Sequence, residues 1–363
     1  MLTEERKLEI GQAITYGLNT AVNSASMRPS YYFLSPEKII QSWTRSTKVE
    51  SAFINNYGIP MGMELEVERR GTTRVQDSNN LRELNLEAMR DYYVRRFNHY
   101  DNDILDGVVE EPIQLFTSKG DPSLNNGIEF VSQPMTLDMW QMIPLKFEEM
   151  TNAYAGYHRR TTGLHIHIPK GAFGERHLFL WLLLMQTLGG TGTTHRRLTN
   201  WLSLFGQRNF NRWARFEMPV YNGVKNSLAQ VAIDRVNQQD GRYKFVNFEP
   251  SSTIEMRFFK ANLQTARILK NLELLDATYE FTKKLVCDFG TETPVQLHAS
   301  EILAQAKSTQ AFVDYIETNS IRYHHLLEYY ERYRDKFLHN TVQVSDDDVV
   351  ALENLNDQTL QPV

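Results

Sequence analysis

Three observations predict an α+β fold with a mostly antiparallel sheet and helices to one side. The chain has 363 residues, 41% hydrophobic and 23% charged, an ordinary globular composition with enough length for a substantial core. Short stretches of strict apolar–polar alternation are divided among longer stretches of helical spacing. Two of the alternating stretches, 243–248 and 253–259, are separated by Glu249-Pro250-Ser251-Ser252, a hairpin-like turn.

Taken in order, residues 4–23 read as a helix, with Leu8, Ile10, Ile14, Leu18 and Val22 at roughly helical spacing. Ser35-Pro36-Glu37 starts a second helix to about 49, with a serine cap, a proline at the first position and an acid in the first turn. A strand at 61–69 follows. Residues 71–80 are a polar loop, 81–99 a helix, and 100–111 an acidic linker. A short strand at 114–117 leads through a turn-rich segment, 119–127, into a strand at 128–132 that Pro134 ends. An amphipathic helix is expected over 136–157, a strand over 163–168, and helices over 173–188, 194–205 and 224–235. The run Gly189-Gly190-Thr191-Gly192-Thr193-Thr194 follows a helix and reads as a helix stop and flexible connection or lid. A long helix is expected over 263–289, then helical pattern to 338 with Tyr315, Tyr323, Tyr329, Tyr330, Tyr333 and Phe337 as packing residues. The tail 341–363 is acidic and weakly patterned. The expected domains are a helical extension (1–57), a catalytic domain (58–290) and a C-terminal helical region with the acidic tail (291–363).

The formal charge of −5 and pI of about 6.1 argue against a general nucleic-acid binder. Cys287 is the single cysteine, so no intramolecular disulfide forms, which suits a reducing cytoplasm. The first seven residues lack the apolar core of a signal peptide. The most apolar run, 178–185, falls short of the roughly 20 residues that span a bilayer and reads as a buried helix. The expectation is a cytoplasmic protein with no membrane partner.

Function is carried by four strands of one design. Glu64, Glu66 and Glu68 share a strand face opposite Met63, Leu65 and Val67. Alone, that face reads equally as solvated or as metal-binding. Glu129 lies on a second such strand, His165 and His167 share a face of a third, and Glu255 and Arg257 share a face of a fourth. Each pair alone is ordinary strand decoration or a surface ion pair. Brought into one sheet, they bring roughly five carboxylates together, and such repulsion demands cations. Oxygen donors select Mg²⁺ or Mn²⁺, and Mg²⁺ enters with phosphates. Basic partners for phosphate are at hand: between residues 157 and 216 there are nine Lys or Arg against one acid, Glu175, and Arg242 and Lys244 follow. A nucleic-acid groove is the competing reading of that stretch. Neither a P-loop nor a Rossmann glycine pattern occurs.

The segments 62–68, 127–134, 162–168 and 253–259 resemble, in order, the landmarks of the amidoligases. These are carboxylate–amine ligases of the glutamine synthetase and glutamate–cysteine ligase fold, common in bacterial and phage genomes. The resemblance covers about residues 58–285. It implies an antiparallel sheet curved around an ATP and metal funnel, with Glu64, Glu66, Glu129 and Glu255 as metal ligands. It implies that His165 and His167 touch metal or nucleotide, and that Arg257 meets the transferred phosphoryl group. Gln207-Arg208-Asn209-Phe210-Asn211-Arg212 is similar to a phosphate-binding segment, which assigns Arg208 and Arg212. Arg242-Tyr243-Lys244 resembles the segment before the last motif, with Lys244 standing where the family often has arginine. Asp121-Pro122-Ser123 departs from the family's Asp-Gly-Ser.

The implied activity is ATP- and Mg²⁺-dependent amide formation between a small-molecule or peptide carboxylate and an amine or ammonia, through an acyl phosphate. Glu68 is the candidate base for the amine proton, and a homo-oligomer is compatible. Two other readings stand beside it: a non-catalytic nucleotide- or partner-binding protein of phage or mobile-element origin, and a two-metal hydrolase using the histidines.

Overall fold

A computed structural model of the chain describes residues 58–69, 116–119, 124, 127–132, 134–142, 147–152, 154–156, 162–189, 200–208, 245–250, 252–288 and 299–338. The helices expected at 4–23, 35–49, 81–99 and 224–235, the segments 71–80, 100–111 and 190–194, and the tail 341–363 lie outside the described residues. Among those described, the strands are β1 (Gly62–Arg69), β2 (Phe116–Lys119), β3 (Gly127–Ser132), β4 (Tyr154–Ala155), β5 (Gly163–Pro169), β6 (Val246–Asn247) and β7 (Thr253–Lys260). The helices are α1 (Leu137–Met142), α2 (Glu175–Gly189), α3 (Trp201–Gly206), α4 (Thr265–Asp288), α5 (Ala299–Ala306), α6 (Thr309–Thr318), α7 (His324–Arg332) and α8 (Arg334–Leu338). The architecture is α+β. The chain forms two compact units, residues 1–172 with 250–269, and residues 173–249 with 270–363.

The first unit is built on an antiparallel sheet in the order β2-β3-β1-β5-β7, with β4 also pairing β1. Period-two alternation sends Met63, Leu65, Val67, Phe130, Leu164, Ile166, Ile168, Ile254 and Met256 to one buried face. Below it, Trp140 of α1 donates its indole N–H to the Met61 carbonyl at 3.0 Å, so the buried ring keeps its polar end paired.

The expected helix over 136–157 is not formed as one element. α1 stops at Met142, a 3-10 turn covers Phe147–Asn152, and the chain then extends as β4 to pair with Glu68 and Arg69. A proline inside the expected span, at 144, disfavours a continuous helix on sequence grounds, because proline lacks an N–H and cannot sit in a helix interior without a clash. Likewise the continuous helical stretch expected before 338 is four helices. Ser308 starts α6 as its cap, its hydroxyl accepting the Ala311 N–H at 3.1 Å.

The second unit buries the apolar run of α2 and much of α4. Asp276, fully buried on α4, is paired with Arg322, whose Nε and Nη2 donate at 2.9 and 3.2 Å, and with the Tyr323 hydroxyl at 3.1 Å. Tyr323, Tyr330 and Phe337 are buried packing residues, as their density suggested. No helix among the described residues is long and apolar enough to cross a membrane.

His177 of α2 gives this unit a pH dependence. Burial holds its pKa down at about 4, against a raising hydrogen bond to the Tyr279 carbonyl, and Lys283 adds to the lowering. Nε2 lies 3.1 Å from that carbonyl and 3.0 Å from Thr282 Oγ1, so the neutral ring carries its proton there. The unfolded chain, at the ordinary 6.5, binds this proton more readily. The stabilisation is therefore complete above pH 6.5 and lost as pH falls toward 4, by up to about 3 kcal/mol. Denaturant unfolding across that range is expected to show this slope in the wild type and a flatter one in His177→Gln.

Candidate functional site

The polar face of the same sheet carries the candidate residues of β1, β3, β5 and β7. Register fixes them against each other: Glu66 faces Glu129, Glu64 faces His165, and His167 faces Glu255. Two carboxylates directly opposite on neighbouring strands repel. Here they do so with Glu66, Glu68, Glu129, Glu255 and both histidines buried and Glu64 only slightly exposed.

His165 sits at the centre. Its Nδ1 is 3.3 Å from Glu255 Oε1 and 3.6 Å from Glu64 Oε2, and its Nε2 is 3.8 Å from Glu66 Oε1. His167 Nε2 is 3.6 Å from Glu64 Oε2. His167 Nδ1 is 3.0 Å from Thr253 Oγ1. A cation bound at Nε2 would leave the ring proton on Nδ1, donated to that hydroxyl. Glu66 Oε2 accepts the Gly163 N–H at 2.5 Å, which pins this carboxylate. Arg257 Nη1 donates to Glu255 Oε1. Burial pushes the Glu255 carboxyl up, but Arg257, then His165 and His167, hold it below its ordinary value against the opposing Glu64. Glu255 is therefore ionised at neutral pH.

Two backbone details aim these groups. Across from His165, β7 places Arg257 and Phe258 opposite one residue of β5, a register shift of the β-bulge type. This lets consecutive Phe258 and Phe259 both enter the core, where their ring centroids lie 4.1 Å apart, while Arg257 stays on the acidic face. Gly127 faces Glu68, and a Cβ there would lie 2.6 Å from the Val67 carbonyl, so the close approach of β3 to β1 requires glycine.

Oxygen and nitrogen atoms of Glu64, His167 and Glu255 lie within 4.8 Å of one another. An octahedral ion with bonds of about 2.1 Å needs neighbouring donors about 3 Å apart, so binding a divalent cation would draw this set inward. The donor chemistry, carboxylates with one imidazole, suits Mg²⁺ or Mn²⁺.

Sequence reasoning thus brought Glu64, Glu66, Glu129, His165, His167, Glu255 and Arg257 to one sheet face, where the structure has them. Glu68 shares that face at its Gly127 and Ala155 end. Arg208 is buried just past α3 in the second unit. Arg212, Arg242 and Lys244 lie outside the described residues. Missed were Thr253, which orients His167, and the Gly163 N–H that anchors Glu66. Thr253 was readable as the residue two before Glu255 on the same strand face; the Gly163 contact joins residues 97 apart and left no local signal.

The buried, acid-rich, histidine-bearing face of this antiparallel sheet is a candidate divalent-cation site. Residues 59–279 match the family described as "Putative amidoligase enzyme", well over half of the 363 residues. The chain belongs to this family, whose description names amide-bond ligases. No curated protein matches the sequence. Among solved structures, it is similar to the complex between the prokaryotic ubiquitin-like protein Pup and its ligase PafA, at 11% identity over 84% of this chain and 70% of that one, with a TM-score of 0.35. It is also similar to a structure described as a novel glutamine synthase homolog, at 14% identity over 89% and 75% of the chains, with a TM-score of 0.30.

Proposed function

We propose that this protein is an ATP- and Mg²⁺-dependent carboxylate–amine ligase working through an acyl phosphate. The observation that carries the reading is the gathering of Glu64, Glu66, Glu129, His165, His167 and Glu255 around one buried sheet face that also holds Arg257. Bound Mg²⁺ would be held by Glu64, His167 and Glu255 with Glu66 and Glu129, and would supply charge neutralisation for ATP phosphates.

In the first step a substrate carboxylate oxygen attacks the γ-phosphorus of ATP, the bond to the bridging oxygen breaks, and ADP leaves. Arg257 donates to the equatorial oxygens as charge spreads over them. Arg208, Arg212, Arg242 and Lys244 keep the phosphate-binding role that their motifs imply. In the second step the amine nitrogen attacks the acyl carbon and inorganic phosphate departs. Glu68, on the same face and outside the Glu64–His167–Glu255 set, takes the amine proton. Ammonia, a small amine or a peptide amine each satisfies this chemistry.

The test is a matrix of carboxylates and amines screened for Mg²⁺-dependent ADP release, with products read by mass. The expected result is ADP released in proportion to a product lighter by one water than the summed substrates. Product mass reporting only hydrolysis, with no ADP formed, would identify a hydrolase and sink the ligase reading.

A further inference from the structure

A second cluster of metal-ligating side chains lies in the other unit. Glu273 of α4 is fully buried. One of its oxygens, Oε2, accepts the Leu326 N–H at 2.7 Å and caps the first turn of α7. The other, Oε1, is 2.7 Å from His325 Nδ1 and 3.9 Å from His324 Nδ1. Capping explains Oε2 alone; it gives no reason for two adjacent imidazoles to bring the same ring atom to the other oxygen. The rings lie with centroids 3.7 Å apart, and the three donor atoms fall within 4.8 Å of one another.

We propose that Glu273, His324 and His325 form a structural transition-metal site, with Zn²⁺ as the fitting ion. Two imidazoles and one carboxylate are a borderline-soft donor set that favours Zn²⁺ over Mg²⁺. Tetrahedral bonds of about 2.0 Å place neighbouring donors about 3.3 Å apart. The 2.7 and 3.9 Å separations straddle that value. His324 is more than half exposed, which gives the ion a path from solvent and leaves a fourth position for water. In the metal-free state the His325 Nδ1–H donates to Glu273; on binding, each Nδ1 turns its lone pair to the ion and the ring proton resides on Nε2. The N-terminal end of α7 disfavours a cation by its dipole, and the Glu273 carboxylate offsets this. The ion would clip α4 to the start of α7. The site shares no residue with the sheet face and does not depend on the ligase reading.

The test uses the full-length protein stripped with chelator and held in excess Mg²⁺. Zn²⁺ is titrated by calorimetry into the wild type, His324→Ala, Glu273→Gln and, for the sheet face, Glu64→Gln. Glu273→Gln keeps an acceptor for Leu326, and His324→Ala removes a largely exposed ring, so both leave α7 capped. The wild type and Glu64→Gln are expected to bind one more Zn²⁺ than His324→Ala and Glu273→Gln. The ion should raise the wild-type Tm by roughly 5 °C at about a hundred-fold excess over Kd, and Co²⁺ should give tetrahedral visible bands lost in His324→Ala. Equal Zn²⁺ uptake by the wild type and His324→Ala, no uptake by the wild type, or loss of the extra ion in Glu64→Gln alone overturns the proposal.

Discussion

Glu255→Gln is expected to lower Mg²⁺-dependent ATP turnover by on the order of a hundred-fold or more and to raise the Mg²⁺ concentration for half-maximal rate. The substitution preserves shape and removes one charge. That charge is the hub of the face: Glu255 Oε1 is 3.3 Å from His165 Nδ1, accepts from Arg257, and joins Glu64 and His167 within ligand distance. The surroundings keep this carboxyl ionised in spite of burial, so neutralising it removes both a donor and the anion that Arg257 is paired with. The fold should tolerate the change, because removing one of several crowded carboxylates also removes repulsion. Steady-state ADP release over a Mg²⁺ series, beside the thermal midpoint, separates the two effects. Unchanged turnover with unchanged Mg²⁺ dependence would remove Glu255 from the metal set.

The face itself was legible because strands have period two. Glu64-x-Glu66-x-Glu68, His165-x-His167 and Glu255-x-Arg257 each state in sequence which side chains share a side, and the apolar residues between them state which side is core. Pairing was not stated. That Glu66 meets Glu129, or that Glu255 meets His167, follows from register between strands far apart in the chain. The bulge at Arg257 and Phe258 hides in sequence behind the consecutive aromatics Phe258 and Phe259, which simple alternation would split between faces. β4 was hidden inside a stretch whose spacing reads as helical. Glu273 was invisible as a site because its partners, His324 and His325, are some fifty residues away in the chain.

Arg257→Ala is expected to reduce kcat by about 10²- to 10³-fold, roughly 3–4 kcal/mol of transition-state stabilisation, with a smaller change in KM for ATP. The reason is geometric. The bulge keeps Arg257 on the acidic face, largely buried, where Nη1 is engaged by Glu255. A guanidinium presents five N–H donors in a planar fork, so holding one against Glu255 fixes the orientation of the others. Groups fixed in advance are worth most where charge develops late, on the phosphoryl oxygens, rather than on bound ATP. Arg257→Lys separates charge from geometry: an ammonium restores the charge but not the fork. It should recover KM more fully than kcat. Metal affinity adds a check, since a lost positive charge beside Glu255 should make Mg²⁺ bind no worse, and kcat should still fall. If Arg257→Ala instead lowers Mg²⁺ affinity and leaves kcat at saturating Mg²⁺ intact, the arginine is a positioning partner of Glu255 and another cation stabilises the phosphoryl group.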